Sequence, residues 1–354
     1  MLSNPITIID HDLLAELEKA RGSPAFSAMK HHLEKVQHRR NEITAKRSAM
    51  TPIKRRRDEM HDLLTSTDLK NNERYHLHSV LALCGLPYRR PTDDTVDYIR
   101  DYGRNSLVVQ AGYLKDPMSG KMIRQGLPYG PKARLLMLHI CTMALRQNSP
   151  KVELADSLSA FIRDLGFDVT GGKNGTISLF KDQLHRLAAA RMQIGLWNGE
   201  HTRTINSQPI EAFDIWLPRD AEQKTLWSTK LYLNRDFYDS LKEHALPVDI
   251  RVIRSFANSA KQIDIILWLA YRLRNLERPY TIPWNNLREQ FGSSVARLRK
   301  FKESFREDLI IIEEVFPKLP IKLMDNGLKL LPSNPEALFV TPKNIHVSKR
   351  STKN

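Results

Sequence analysis

The sequence predicts an α+β chain that is mainly helical, and three observations carry that reading. Apolar residues recur at spacings of three and four through most long segments. After Met192 the period changes to that of strands broken by turn residues. Near the C-terminus, Ile321–Met324, Asp325-Asn326-Gly327 and Leu328–Leu331 read as a hairpin around an Asn-Gly turn.

The elements follow in order. Residues 1–74 form a basic helical N-terminal arm, with Leu13, Leu14 and Leu17 at helix spacing and a second helix from Ser27 toward Met50 on the stripe Leu33, Val36 and Ile43. Thr51-Pro52 breaks that helix, because the residue before proline avoids the helical region. The arm's charge reads equally as a partner-binding surface or as a solvated face. Residues 75–125 are a transition in which Ser79–Leu83 and Leu107–Ala111 are short strands or buried turns.

A first compact unit ends at residue 233. Pro131 opens a helix over Ala133–Gln147, Val152–Leu165 is a second, and Gly171-Gly172-Lys173-Asn174-Gly175 leads into a third, Thr176–Met192. Strands follow at Gln193–Trp197, Arg203–Ile205, Ala212–Leu217 and Leu226–Leu233. Three helices and a small sheet make a winged helix, so 75–233 is assigned as a first winged-helix domain. Residues 234–335 repeat the plan. Asn234 caps Phe237–His244, Asp249 caps a short helix to Phe256, and Gln262–Leu276 is strongly apolar. An extended Pro279–Pro283 precedes a helix over Trp284–Phe291, a helix capped by Ser293 or Ser294, and the hairpin as a wing. Residues 336–354 form a flexible basic tail.

Composition narrows the function. The chain has 354 residues, 41% of them hydrophobic, and a formal charge of +15. The charge is spread over the arm (Arg39, Arg40, Lys46, Arg47, Lys54, Arg55, Arg56, Arg57), the C-terminal helices and the tail (Lys343, Lys349, Arg350, Lys353). Spread basicity suits a long polyanion such as double-stranded DNA. Cys84 and Cys141 lie in apolar runs without a CxxC neighbour, which suits reduced, buried thiols and a cytoplasmic protein. No stretch reaches the roughly 18 apolar residues of a membrane span, and the acidic, amphipathic N-terminus is unlike a secretory signal.

The helix from Ser293 is the expected reader. Val295, Leu298, Phe301 and Phe305 face the core, while Ser293, Arg297, Lys300 and Ser304 form a narrow opposite stripe. A major groove admits one helix read through a few such side chains, and Arg and Lys suit guanine O6 and N7. Arg299, Lys302 and Arg306 flank the stripe and suit phosphates; an exposed face held by an Arg299–Glu303 ion pair is the plain alternative. In the first unit the helix from Thr176 exposes Ser178, Asp182, His185, Arg186 and Ala189. Asp182 repels phosphate, so Lys173, Asn174, Ser178 and Arg186 point to phosphate gripping at a helix N-terminus, or to a protein–protein contact.

Signals for catalysis are weak. His76-Leu77-His78 fits the His-hydrophobe-His pattern of metal-dependent nicking enzymes, but the nearest tyrosines, Tyr98 and Tyr102, make poor nucleophile candidates. Structural histidines are the preferred reading. No P-loop, paired-carboxylate, zinc or Ser/His/Asp constellation stands out, so no cofactor, metal or enzymatic activity is expected.

The strings His78-Ser79-Val80-Leu81, Gly85-Leu86-Pro87, Gly126-Leu127-Pro128-Tyr129-Gly130-Pro131-Lys132-Ala133-Arg134-Leu135 and Gly171-Gly172 resemble the plasmid-encoded RepA replication initiator family over roughly residues 75–235. The resemblance implies a theta-type initiator that binds iterons in a plasmid origin and helps melt adjacent AT-rich DNA. It also implies recruitment of the host initiator and replicative helicase, and a homodimer in equilibrium with monomer that represses its own gene. A transcriptional repressor without initiation activity shares the same DNA-binding plan.

Overall fold

A computed structural model describes residues 7–66, 73–116, 119–153, 158–165, 167–172, 174–197, 199–213, 230–274, 276–316 and 319–332. It divides into two compact units, residues 1–62 and 63–354. The tail lysines and arginines named above, Lys173 and the expected strand residues 214–217 and 226–229 lie outside the described residues.

In the first unit, α1 (His11–Lys19) and α2 (Phe26–Ser48) pack through Ile8, Leu13 and Leu33, with Leu17, Met29 and Val36 around them. Buried Gln37 fixes the entry to α1: its Oε1 accepts from the backbone N–H groups of Ile9 and Asp10, both at 3.0 Å. Helix α3 (Pro52–Ser66) begins on the proline expected to break its predecessor, a position where a missing N–H costs nothing. The arm therefore has a small core of its own.

The second unit opens with β1 (Arg74–His78) and α4 (Ser79–Cys84). Ser79–Leu83 is thus helix, not strand; His78 caps it, its Nδ1 accepting from Val80 N–H at 3.3 Å. Strands β2 (Asp97–Tyr102), β3 (Asn105–Gln110), β4 (Tyr113–Lys115) and β5 (Met122–Arg124) follow, then α5 (Gly130–Arg146), β6 (Lys151–Glu153), α6 (Leu158–Asp164) and α7 (Thr176–Ala189). The expected second helix is therefore shorter, because Val152 is a strand residue paired with Leu231. Beyond α7 come β7 (Arg191–Trp197), β8 (Thr202–Ser207), β9 (Ile210–Phe213) and β10 (Lys230–Leu233).

Asn234 and Asp249 cap α8 (Arg235–His244) and α9 (Ile250–Ser255) as the sequence indicates, accepting from Phe237 N–H at 3.2 Å and Arg251 N–H at 2.8 Å. Between these helices runs β11 (Ala245–Asp249). The chain continues through α10 (Ala260–Arg274), β12 (Tyr280–Pro283), α11 (Trp284–Phe291), α12 (Leu298–Glu313), β13 (Ile321–Met324) and β14 (Gly327–Leu330).

The two halves of this unit share one topology. In the first, α5, β6, α6, α7, β9 and β10 give a sheet ordered β6-β10-β9; in the second, α10, β12, α11, α12, β13 and β14 give a sheet ordered β12-β14-β13. The first half carries an insertion: β7 and β8 leave it to complete a separate sheet, β2-β3-β7-β8. The halves meet along antiparallel β1 and β11, from Arg74 opposite Asp249 to His78 opposite Ala245. Each of these strands runs directly into a side-chain-capped helix, so the pairing has local twofold character.

The two first helices, α5 and α10, are joined by a buried ion pair. The Arg134 guanidinium donates to both carboxylate oxygens of Asp264, at 2.6 and 2.7 Å, with both side chains almost wholly buried. It also donates to the carbonyls of Leu86 (2.5 Å), Pro87 (3.2 Å) and Gly130 (2.8 Å), so the charge is fully coordinated. Gly85 allows this close approach: it has φ +64°, and a Cβ there would lie 2.5 Å from Asp264 Oδ2.

Candidate nucleic-acid interface

Helix α12 is anchored by Phe301, Phe305, Leu309 and Ile312, all buried. Trp284 of α11 packs edge-on against Phe301 and Phe305 and is itself buried. Its indole N–H donates to the carbonyl of Asp325 at 3.0 Å, which ties the β13–β14 turn to the helical core. Register places Met324 opposite Gly327, so the turn residues are Asp325-Asn326 rather than Asn-Gly. Gly327 serves a different purpose: a Cβ there would collide with the carbonyl oxygen of Ile282 on β12.

The expected reading stripe is partly dismantled. Helix α12 starts at Leu298, with Arg297 as its cap residue, so Ser293 lies outside it in a turn. Ser293 Oγ accepts from Arg100 at 3.0 Å, and the same guanidinium donates to Gln290 O. Ser304 faces α10, where its hydroxyl accepts from Lys261 Nζ at 3.1 Å; Lys261 also pairs with Asp308 at 2.7 Å. A buried apolar stripe centred on Phe305 and a helix that starts at Leu298, three residues later than Val295, explain both corrections.

Arg297, Arg299 and Lys300 remain exposed at the helix start. Arg299 is 91% exposed and makes the anticipated i,i+4 pair with Glu303 at 3.0 Å. Lys302 Nζ and the Arg306 guanidinium sit 5.3 and 5.5 Å from the Trp284 ring centroid, which holds both stems against α11. Beyond Lys302 the exposed face turns acidic at Glu303, Glu307 and Glu313. Positive charge is therefore concentrated at the N-terminal end of α12, where the backbone dipole adds to it. Lys322 adds an exposed ammonium on the hairpin.

Helix α7 is arranged differently. Arg186, read from the sequence as exposed, is buried. Its Nε donates to Asp182 at 2.9 and 3.0 Å, Nη1 donates to Leu127 O at 3.3 Å, and the guanidinium lies 5.3 Å from the Tyr129 ring centroid. It holds down the segment that precedes α5, with no route to a phosphate. Ala189 is buried as well. Asn174 is exposed, and Ser178 donates to Gly172 O at 2.6 Å, closing the loop before the helix.

His78 has a structural role. His78 is fully buried, with Nε2 within 3.0 Å of Ser240 Oγ and Nδ1 committed to the α4 cap; burial pulls its pKa down to about 3. Both ring nitrogens are therefore occupied. Tyr98 and Tyr102 lie on strand β2, and the Tyr102 hydroxyl accepts from Trp268 Nε1 at 3.1 Å and Arg272 Nη2 at 2.6 Å. Cys84 and Cys141 are unpaired and buried, and burial pushes both thiols up to about 12. Among the described residues, no helix is long and apolar enough to cross a membrane.

Fold and site thus define a basic protein whose body is a repeated helix–strand–helix–helix–hairpin unit, with exposed cations where its last long helix begins. Residues 127–286 match the family described as plasmid encoded RepA protein. That segment, from just before α5 into the first turn of α11, resembles the plasmid RepA replication-initiator family. Two solved structures align with the chain. The selenomethionine form of domains 2 and 3 of RctB is 8% identical, with a TM-score of 0.46 over 72% of this chain and 99% of that one. A second structure of RctB domains 2–3 is 8% identical, with a TM-score of 0.41 over 74% and 100%. No curated protein sequence matches the chain.

The sequence missed the structural role of the motif itself. Gly85-Leu86-Pro87, Gly126-Leu127 and Gly130–Arg134 surround two buried guanidiniums, Arg134 and Arg186. A charged residue within an apolar run, as Asp264 is between Ile263 and Ile265 in α10, was the available signal.

Proposed function

We propose that the chain is a non-enzymatic plasmid replication initiator that binds repeated sites in origin DNA through two tandem winged-helix domains. The supporting observation is the repeated topology, whose second copy carries Arg297, Arg299 and Lys300 exposed at the start of α12 and continues into the β13–β14 hairpin. In this reading α12 enters a major groove by its N-terminal end, Arg297 and Lys300 read base edges, and Arg299, Lys302, Arg306 and Lys322 grip phosphates. The acidic C-terminal half of α12 stays clear of the backbone. The first domain contributes a phosphate contact at Asn174 or a protein–protein contact, and two such units cover about two helical turns of duplex.

Origin melting, recruitment of the host initiator and helicase, and a monomer–dimer balance governing autorepression complete the proposal by family resemblance. Footprinting on DNA flanking the gene is the test. Regularly spaced protected repeats support iteron binding; a single isolated operator favours a repressor, and absence of protection rejects the proposal.

A further inference from the structure

An open cleft of about 750 Å³ lies among the tip of the β2–β3 hairpin, the β7–β8 end of the same sheet and the last turns of α10. Its lining residues include neither α12 nor the β13–β14 hairpin. Three guanidiniums line it, from Arg104, Arg203 and Arg272, together with His201, and none of its lining residues carries a carboxylate.

The aromatic content is as distinctive as the charge. Trp197 ends β7 and is 47% exposed, a large apolar ring left open to solvent. Its backbone N–H donates to Arg104 O at 2.9 Å, and the Arg104 guanidinium sits 5.4 Å from the indole centroid. Ring and cation are therefore held together at the mouth. Deeper in, Arg272 lies 5.1 Å from the Tyr102 ring centroid and donates to its hydroxyl. Arg203 pairs with exposed Glu243, at 3.5 Å. Such a surface pair contributes little, so a phosphate could replace the carboxylate at small cost.

We propose that this cleft binds a short segment of single-stranded DNA. A flat exposed ring beside a row of cations suits an unpaired base stacked on Trp197 with its flanking phosphates on Arg104, Arg203 and Arg272. A duplex does not fit this pattern, because its bases are already stacked on each other. The inference rests on the initiator reading, in which melting supplies such a strand, but it concerns a different surface from the duplex reader.

The test is fluorescence anisotropy of the full chain with a labelled 12-nucleotide oligothymidylate, run beside a labelled duplex carrying the footprinted site. Trp197→Ala should weaken oligothymidylate binding roughly tenfold, while Trp197→Phe stays near wild type because a ring is retained. Arg203→Ala should weaken it and reduce the salt slope by about 0.7, the loss of one phosphate contact on a single strand. Lys300→Ala should leave it unchanged while weakening the duplex. Retained duplex binding in the cleft variants shows that they are folded. Unchanged oligothymidylate affinity in both Trp197→Ala and Arg203→Ala overturns the proposal, whatever the duplex does. Thymidine monophosphate competing as well as the oligonucleotide also overturns it, since the cleft would then be a nucleotide site. Failure of the duplex arm alone removes the initiator reading and leaves the cleft result standing.

Discussion

Arg134 and Asp264 occupy the same place, the fifth residue, in two topologically equivalent helices, α5 and α10, and they pair with each other at 2.6 and 2.7 Å. One ion pair therefore joins the two copies of the repeat. Burial pushes the Asp264 carboxyl up, against the pull of the guanidinium. Removing one partner leaves the other charge buried alone. Arg134→Met should cost about 3–5 kcal/mol in urea unfolding, and Arg134→Met with Asp264→Leu should recover much of that loss. A double variant no more stable than the single would show that the carbonyl contacts of Arg134, rather than its charge pairing, hold the junction.

Acid should destabilise the body through two buried histidines. Burial lowers His78 to about 3 and His139 to about 4, below the unfolded value of about 6.5. Between those limits the unfolded chain binds protons that the folded chain does not, so stability is complete above about pH 6.5 and falls as pH drops. Each histidine contributes about 1.4 kcal/mol per pH unit well inside the window. Chemical denaturation from pH 7 to 5 should show the decline. His78→Asn, which keeps a capping side chain, should reduce the slope by about half if these two groups dominate.

The hairpin depends on Gly327. With Ile282 O against its Cα, Gly327→Ala must push β14 away from β12. The expected result is weaker binding to the footprinted duplex with little change in the main unfolding transition. Unchanged affinity would remove the hairpin from the interface.

Arg186→Ala separates structure from recognition. With its guanidinium committed to Asp182, Leu127 O and Tyr129, the variant should lose about 2 kcal/mol of stability and keep its base preference. A change in preference without loss of stability would return this residue to the DNA face.

Much of the architecture was legible in the sequence. Asn234 and Asp249 marked two helix starts, because a side-chain oxygen ahead of an apolar stripe satisfies an otherwise orphan N–H. The apolar spacing of Phe301 and Phe305 oriented the last long helix correctly. What failed was start position and burial. Nothing local shows that Ser293 meets Arg100, some 190 residues earlier, instead of capping a helix. Arg186 looked exposed because charge at a helical position usually is; its burial depends on carbonyl and aromatic partners from residues 127–129. Ser79–Leu83 was ambiguous for another reason, since a five-residue apolar run fits a strand or a buried turn of helix equally well.

The central claim is that the N-terminal end of α12 reads bases. It is tested most directly by measuring Lys300→Ala and Arg297→Ala against the footprinted duplex and a panel of single-base changes within it. The account predicts a loss of about 1–3 kcal/mol on the cognate site and relaxed discrimination at one base pair for each variant. Equal weakening on every sequence, cognate and random alike, would make these residues phosphate contacts and contradict the assignment of α12 as the reader.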